Sequence, residues 1–255
     1  MKLEFPELIK FIRTVSIDIS REETQSYTTK GKDTSISTDH HLNQQICSYL
    51  DENFNYPILS EENDNKKNYL QYDDYFWILD PLDGSLNYYR DIPLYCISIS
   101  LWRSAIPLVG IIFDIPRNSV YMGFTSNGYE FSHPGAWLDN EKMFTSVVKG
   151  KKDGVICTGF PSLRSYEKES IEQFIKTVQD WKKVRLIGSA ALSLAWVAAG
   201  KADAYIEEDI RIWDVAAGLA IVKAAGGEIY LKPNNRPNFV TAAATNGKIP
   251  VSEII

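Results

Sequence analysis

The sequence predicts an α+β protein built as two closely packed lobes, and three observations predict it. Across residues 95–131, Ile97, Ile99 and Leu101 alternate with Ser98, Ser100 and Trp102. Further apolar runs at 109–113 and 120–124 follow, separated by turn signals at 114–118 and 126–128, which is the pattern of an antiparallel meander. From Gly154 onward, short apolar runs instead alternate with helical periodicities. A chain of 255 residues, 44% hydrophobic and 24% charged, is also long and apolar enough to bury a sizeable core.

In order, Leu8, Phe11 or Ile12, Val15 and Ile19 recur at helical spacing and predict an amphipathic first helix. Residues 25–37 are rich in Thr, Ser, Lys and Gly and read as a polar loop or weak hairpin. Ser37, Thr38 and Asp39 then stand before Leu42, Ile46, Tyr49 and Leu50, a second helix with its cap at the front. Residues 56–60 and 75–79 are apolar runs that stop at Glu61-Glu62 and at Asp80. Both predict buried strands with acids at their C-terminal ends, where many open α/β sheets bind ligands. Residues 63–74 between them are a polar loop. In the second half, 154–158, 184–187, 204–206, 228–231 and 239–243 read as strands. Residues 166–181, 190–199 and 215–225 read as helices, the last ended by Gly226-Gly227. There is no repeat, low-complexity tract or linker; the lobe boundary falls near 143–152, giving lobes of 1–145 and 146–255.

With 27 Lys+Arg against 33 Asp+Glu the formal charge is -6, so no general attraction to nucleic acid or an anionic membrane is expected. A site for an anion then needs local positive charge, and a bound metal would supply it. Cys47, Cys96 and Cys157 are dispersed and make no CxxC pair, the usage of a reducing compartment, and no zinc site is expected. Glu4, Glu7 and Asp18 interrupt any signal-peptide core, and apolar stretches such as 105–113 fall short of the roughly 20 residues that span a bilayer. A soluble, cytoplasmic protein is expected.

The chemistry-bearing stretch is Asp80-Pro81-Leu82-Asp83-Gly84-Ser85. Pro81 stiffens the turn and Gly84 lets the backbone turn tightly beside a ligand. Such a turn can aim Asp80, Asp83 and the Leu82 carbonyl at one point, an all-oxygen set suited to Mg²⁺. The backbone N–H groups of Gly84 and Ser85 beyond it suit a phosphate oxygen. Taken alone, an Asp-x-x-Asp-Gly is more often a capped turn with solvated acids. Asp39 and Asp214, as lone residues, read most simply as helix N-caps worth about 1 kcal/mol each, and Glu61 as a surface acid. Yet these acids sit at the ends of successive core elements. Like charges about 4 Å apart repel by roughly 4 kcal/mol at intermediate dielectric, so a fold that gathers them needs a cation. His40 and His41 read as helix-surface residues, and Trp181, Trp196 and Trp213 as core aromatics.

Four segments together resemble the inositol monophosphatase family of Mg²⁺-dependent, lithium-sensitive phosphatases. Leu59-Ser60-Glu61-Glu62 is similar to its Gly-Glu-Glu element, and WILDPLDGSLN from Trp77 to its DPxDGTxNF element. Gly188-Ser189-Ala190 with Ala202-Asp203-Ala204-Tyr205 is similar to a mid-C-terminal segment, and Trp213-Asp214 through Gly226-Gly227 to its WDxAAG…GG element. The resemblance covers nearly the whole chain. It implies a layered α/β/α/β/α sandwich of the inositol monophosphatase and fructose bisphosphatase type.

It also implies metal ligands at Glu61, Asp80, the Leu82 carbonyl, Asp83 and Asp214, holding two or three Mg²⁺ per subunit. Asp39 and Ser85 fall on the pair that activates water, and Gly84 and Ser85 on the phosphate-binding backbone. Glu207 falls on a carboxylate that recognises substrate hydroxyls, and Gly188, Ser189 and Ala190 on the ring contact. The implied activity is hydrolysis of a small phosphate monoester, inositol monophosphate or a related sugar or polyol phosphate, without a covalent intermediate. The implied assembly is a homodimer. Fructose bisphosphatase, nucleotide bisphosphate phosphatase and a catalytically silent binding module are the alternatives; a phosphatase with a nucleophilic aspartate would need Asp-x-Asp, which is absent here. Ser85 stands where the family has Thr and Ser60 where it has Gly. Tyr88-Tyr89-Arg90 and residues 208–211 are untypical and bear on substrate choice. The resemblance implies that the 25–37 loop, with Lys30, Lys32 and Asp33, can fold over the metals as a lid; a plain polar loop is the alternative.

Overall fold

Two sheets carry the architecture. The computed structural model describes residues 5–19, 27–30, 33–63, 67–128, 130–160 and 167–255. In chain order come α1 (Phe5–Ile19), the hairpin β1 (Tyr27–Lys30) and β2 (Asp33–Ile36), and α2 (Ser37–Phe54). Seven strands follow as one sheet in sequential order: β3 (Ile58–Ser60), β4 (Tyr75–Asp83), β5 (Cys96–Arg103), β6 (Ile106–Asp114), β7 (Ser119–Phe124), β8 (Gly135–Leu138) and β9 (Glu141–Met143). A short helix α3 (Ser85–Tyr89) interrupts them after β4. Only β3 and β4 pair in parallel; the remainder is the meander that the alternating pattern predicts.

The second sheet has the order β11-β10-β12-β14-β13, from β10 (Val155–Thr158), β11 (Lys183–Arg185), β12 (Ala204–Arg211), β13 (Glu228–Pro233) and β14 (Phe239–Thr245). Its helices are α4 (Lys168–Val178), α5 (Ala190–Ala198) and α6 (Ile212–Ala224).

Period-two alternation sorts the strand side chains between layers. On β4, Trp77 and Leu79 pack with Leu8, Ile12, Leu42 and Ile46 of α1 and α2, while Phe76 and Ile78 face the core around α5 and α6. On β12, Tyr205 faces that same central core, and Ala204 and Ile206 face Phe174 and Val178 of α4. The result is the five-layered α/β/α/β/α sandwich. Its middle helix α6 is buried on nearly every side, as a helix between two sheets must be. The close approach needs Gly110 on β6, where a Cβ would stand 2.2 Å from the Ala217 carbonyl oxygen.

Several boundaries differ from the sequence expectation. β4 continues through Asp83 rather than stopping at Leu79, because it bulges instead of ending. β12 runs to Arg211 and passes into α6 without a loop, so that helix starts at Ile212 rather than at residue 215. Asp39 and Asp214 are each the third residue of their helix, and α6 has Arg211 at its N-cap position. Neither acid is the N-cap; both lie in a first turn, where the helix dipole favours a negative charge. Residues 25–37 contain the hairpin alternative, with β2 lying against α2 and α3. Lys32, Tyr166 and the side chains of Ile19, Lys30 and Asp33 lie outside the described residues. No helix among the described residues is long and apolar enough to cross a membrane. The three cysteines are free thiols.

Candidate active site

Two strand bulges build the site. Asp80 pairs with Ser98 and Asp83 with Cys96, so three residue steps on β4 oppose two on β5. The extra residue turns successive carboxylates toward one side, as bulges near functional sites do. One Asp80 oxygen accepts the Leu82 N–H at 2.9 Å, and the Ser85 hydroxyl donates to the Leu82 carbonyl at 2.8 Å. Gly84 takes the left-handed conformation (φ 91°) that starts α3, and a Cβ there would meet the Leu94 carbonyl at 2.7 Å. On the second sheet β12 bulges between Glu207 and Ile210. That bulge delivers the chain into α6 with Asp214 in its first turn.

Glu61 follows β3, its N–H bonded to the Leu79 carbonyl at 3.2 Å. Glu61, Asp80 and Asp214 each offer one carboxylate oxygen, and these atoms lie within 4.8 Å of one another. They line a cavity of about 580 Å³ together with Leu82, Asp83, Gly84, Ser85 and Glu207. Burial raises the Asp80 carboxyl well above the usual range, and the charges of Glu61, Asp83 and Asp214 raise it further. Burial likewise raises Asp214, reinforced by Glu61, Asp83 and Glu207 and opposed by Arg211.

Asp83 stands slightly apart from this trio. Its Oδ2 accepts the Ser189 hydroxyl at 2.6 Å and the Ala191 N–H at 2.8 Å. Burial still pushes it up to about 6. The structure therefore brings three of the four expected acids to one point, with Asp83 on the same wall.

Three acid side chains this close, two of them pushed toward protonation, are an unfavourable arrangement without a cation. Arg211 is the cation acting on Asp214, and its guanidinium lies over the rings of Trp213 and Phe239. The donors are all oxygen, which fits a hard divalent ion such as Mg²⁺.

Other expected residues fall less simply. Asp39 is buried in α2 but is not among the residues lining the cavity. Gly188, Ser189 and Ala190 do line it. The Ser189 hydroxyl, however, donates to Asp83 and accepts the Leu192 N–H at 3.2 Å, so it braces the acid wall and caps α5. His40 is exposed as expected, but its Nδ1 pairs with Glu62 at 2.7 Å.

Sequence reasoning missed Thr158 and Phe160 in the cavity wall, which carry no motif. It also missed the task of Asn87, whose amide donates to the carbonyls of Leu94 and Ile187 at 2.8 Å each and ties the two halves of the cavity together. Its place directly after the DGSL segment was the available signal.

A five-layered α/β/α/β/α sandwich, with a carboxylate cluster that could hold a metal ion, defines the class of protein by its fold and site. Comparison with known proteins narrows that class: the chain belongs to the inositol monophosphatase family, whose model matches residues 6–246. It is 38% identical over 175 residues to the Nus factor SuhB of Xylella fastidiosa, covering 68% of this chain and 60% of that protein. It is 34% identical over 152 residues to an inositol-1-monophosphatase of Rhizobium meliloti, covering 59% of this chain and 54% of that one. The matched part thus spans little more than half the length of these curated relatives. Among solved structures, an IMPase of Thermotoga maritima superposes with a TM-score of 0.77 at 26% identity, covering 96% of this chain and 92% of that chain.

Proposed function

We propose that the protein is a phosphoric monoester hydrolase acting on inositol monophosphate or a related sugar or polyol phosphate. The observation that carries the reading is the convergence of Glu61, Asp80 and Asp214 within 4.8 Å at the wall of one cavity. In this reading Glu61, Asp80, Asp83, Asp214 and the Leu82 carbonyl hold two or three Mg²⁺. When bound, these ions lower the pKa of the attacking water and neutralise charge on the leaving oxygen.

The chain's own groups do the rest. Ser85 Oγ, which donates its hydrogen bond to the Leu82 carbonyl, keeps lone pairs with which to orient the incoming water. Asp39, buried in α2 outside the residues that line the cavity, is assigned to the proton of that water by the family resemblance alone. The N–H groups of Gly84 and Ser85 take phosphate oxygens. Glu207 accepts hydrogen bonds from substrate hydroxyls, as a carboxylate suits a polyhydroxyl ring. Because the Ser189 hydroxyl is committed to Asp83, the ring contact falls to Gly188 and Ala190. A cytoplasmic homodimer belongs to the same proposal.

A relative named as a Nus factor keeps a non-catalytic binding module as the second reading. Against it, all four acidic side chains expected to hold metal are present, and all line the cavity. Phosphate release from a panel of monoesters, with Mg²⁺, with EDTA and with lithium, separates the two. The hydrolase reading expects release that needs Mg²⁺ and falls with lithium; no release from any ester at saturating Mg²⁺ would establish the binding module.

A further inference from the structure

The turn that carries Glu61 is held from one side by a polar stripe on α2. His40, Asn43 and Cys47 are spaced three and four residues apart, so they share one face of that helix. The buried hydroxyl of Ser60 donates to Asn43 Oδ1 at 2.5 Å, and the Cys47 thiol reaches the same oxygen at 3.4 Å. Asn43 Nδ2 in turn donates to Asn63 Oδ1 at 3.0 Å. His40 Nδ1 meets Glu62 at 2.7 Å. The residues on either side of Glu61 are therefore bound to α2, while Glu61 itself lines the cavity. Asp39 lies one turn before Asn43 on the same helix. Ser60, which occupies a position where the family resemblance expects Gly, supplies the central hydrogen bond.

We propose that Asn43 is a positioning residue for the metal site. Its side-chain amide locks the 60–63 turn onto α2 through Ser60 and Asn63, and thereby fixes the Glu61 carboxylate against Asp80 and Asp214. The proposal rests on the reading of that cluster as a divalent-cation site. Groups that orient a ligand from behind commonly change metal affinity by roughly ten- to a hundredfold when removed.

The test is calorimetric titration of the EDTA-stripped full-length protein with Mn²⁺, on wild type, Asn43→Leu, Ser60→Ala and Asp80→Asn, with thermal melts to establish folding. Asn43→Leu should weaken Mn²⁺ binding by roughly tenfold, and Ser60→Ala, which removes only the hydroxyl and keeps the turn should Asn43→Leu fail to fold, by roughly two- to tenfold. In both variants phosphate release should fall at limiting Mg²⁺ and recover at saturating Mg²⁺, a split that a general loss of stability does not produce. Wild-type Mn²⁺ affinity in a folded Asn43→Leu or Ser60→Ala protein, with Asp80→Asn defective, would overturn the clamp alone. Wild-type affinity in Asp80→Asn as well would overturn the cation-site reading beneath it, and the clamp's role with it.

Discussion

The two sides of the acid cluster are built in opposite ways. Asp80 is buried on a bulged interior strand, and Asp214 is half-buried at the cavity wall, in the first turn of a helix packed between the two sheets. Glu61 is exposed and sits on a turn after the three-residue edge strand β3, with its N–H on the Leu79 carbonyl and its neighbours Ser60, Glu62 and Asn63 bonded to α2. The first pair is positioned by packing that the whole sandwich maintains, and its charge is costly because of that burial. The second is exposed itself, and its turn is positioned by hydrogen bonds to α2. A cation between them would bind a wall held by core packing and an arm held by hydrogen bonds.

That contrast ranks the expected effects of mutation. Asp80→Asn should be the most damaging to activity, lowering phosphate release by roughly 10³-fold or more, since a buried metal ligand contributes several kcal/mol. The same variant should melt no lower than wild type without metal, because it removes a charge that the core disfavours. Measured turnover near wild type would end the equivalence of Asp80 with a ligand. Glu61→Gln should be milder, raising the Mg²⁺ concentration for half-maximal rate by roughly ten- to a hundredfold while approaching wild-type rate at saturation. If the two substitutions proved equally severe, the distinction between wall and arm would be lost.

A pH series on metal-free protein examines the wall separately. Asp80, Asp83 and Asp214 are raised by burial, Asp83 to about 6, so the native state holds protons that the unfolded chain has already released above about pH 4. Stability therefore falls as pH rises from about 4 through the native values. Melting temperature in EDTA should drop between pH 5 and 8, and excess Mg²⁺ should abolish most of that drop. A flat profile in EDTA would show that the acids are not destabilising neighbours.

The smallest effect should be selective. Glu207→Gln should lower kcat/KM for a polyol phosphate by roughly ten- to a hundredfold, the worth of a hydrogen bond to a charged group. It should leave an aryl phosphate, which offers no ring hydroxyls, nearly unchanged.

Much of this was readable in the chain because the relevant signals are local. Apolar alternation in 95–131 specifies a meander, and Asp80-Pro81-Leu82-Asp83-Gly84 reads as a ligand turn once Glu61 and Asp214 stand at the ends of neighbouring elements. What was not readable depends on register between distant strands. The β4 bulge exists only relative to β5, so a strand that looked finished at Leu79 continues to Asp83. The same bulge and the α5 N-terminus decide that Ser189, at the cavity wall, gives its hydroxyl proton to Asp83. Asp39 looked like a cap because a single chain shows which helix it begins, not how deep that helix lies. Ser60 was visible only as a departure from the family's Gly, and its partner Asn43 stands 17 residues earlier on another element.

The most direct test is an anomalous difference map from crystals soaked in Mn²⁺. The account predicts a strong peak among the oxygens of Glu61, Asp80 and Asp214. A map without that peak at saturating Mn²⁺, or with those carboxylates turned apart, would contradict it.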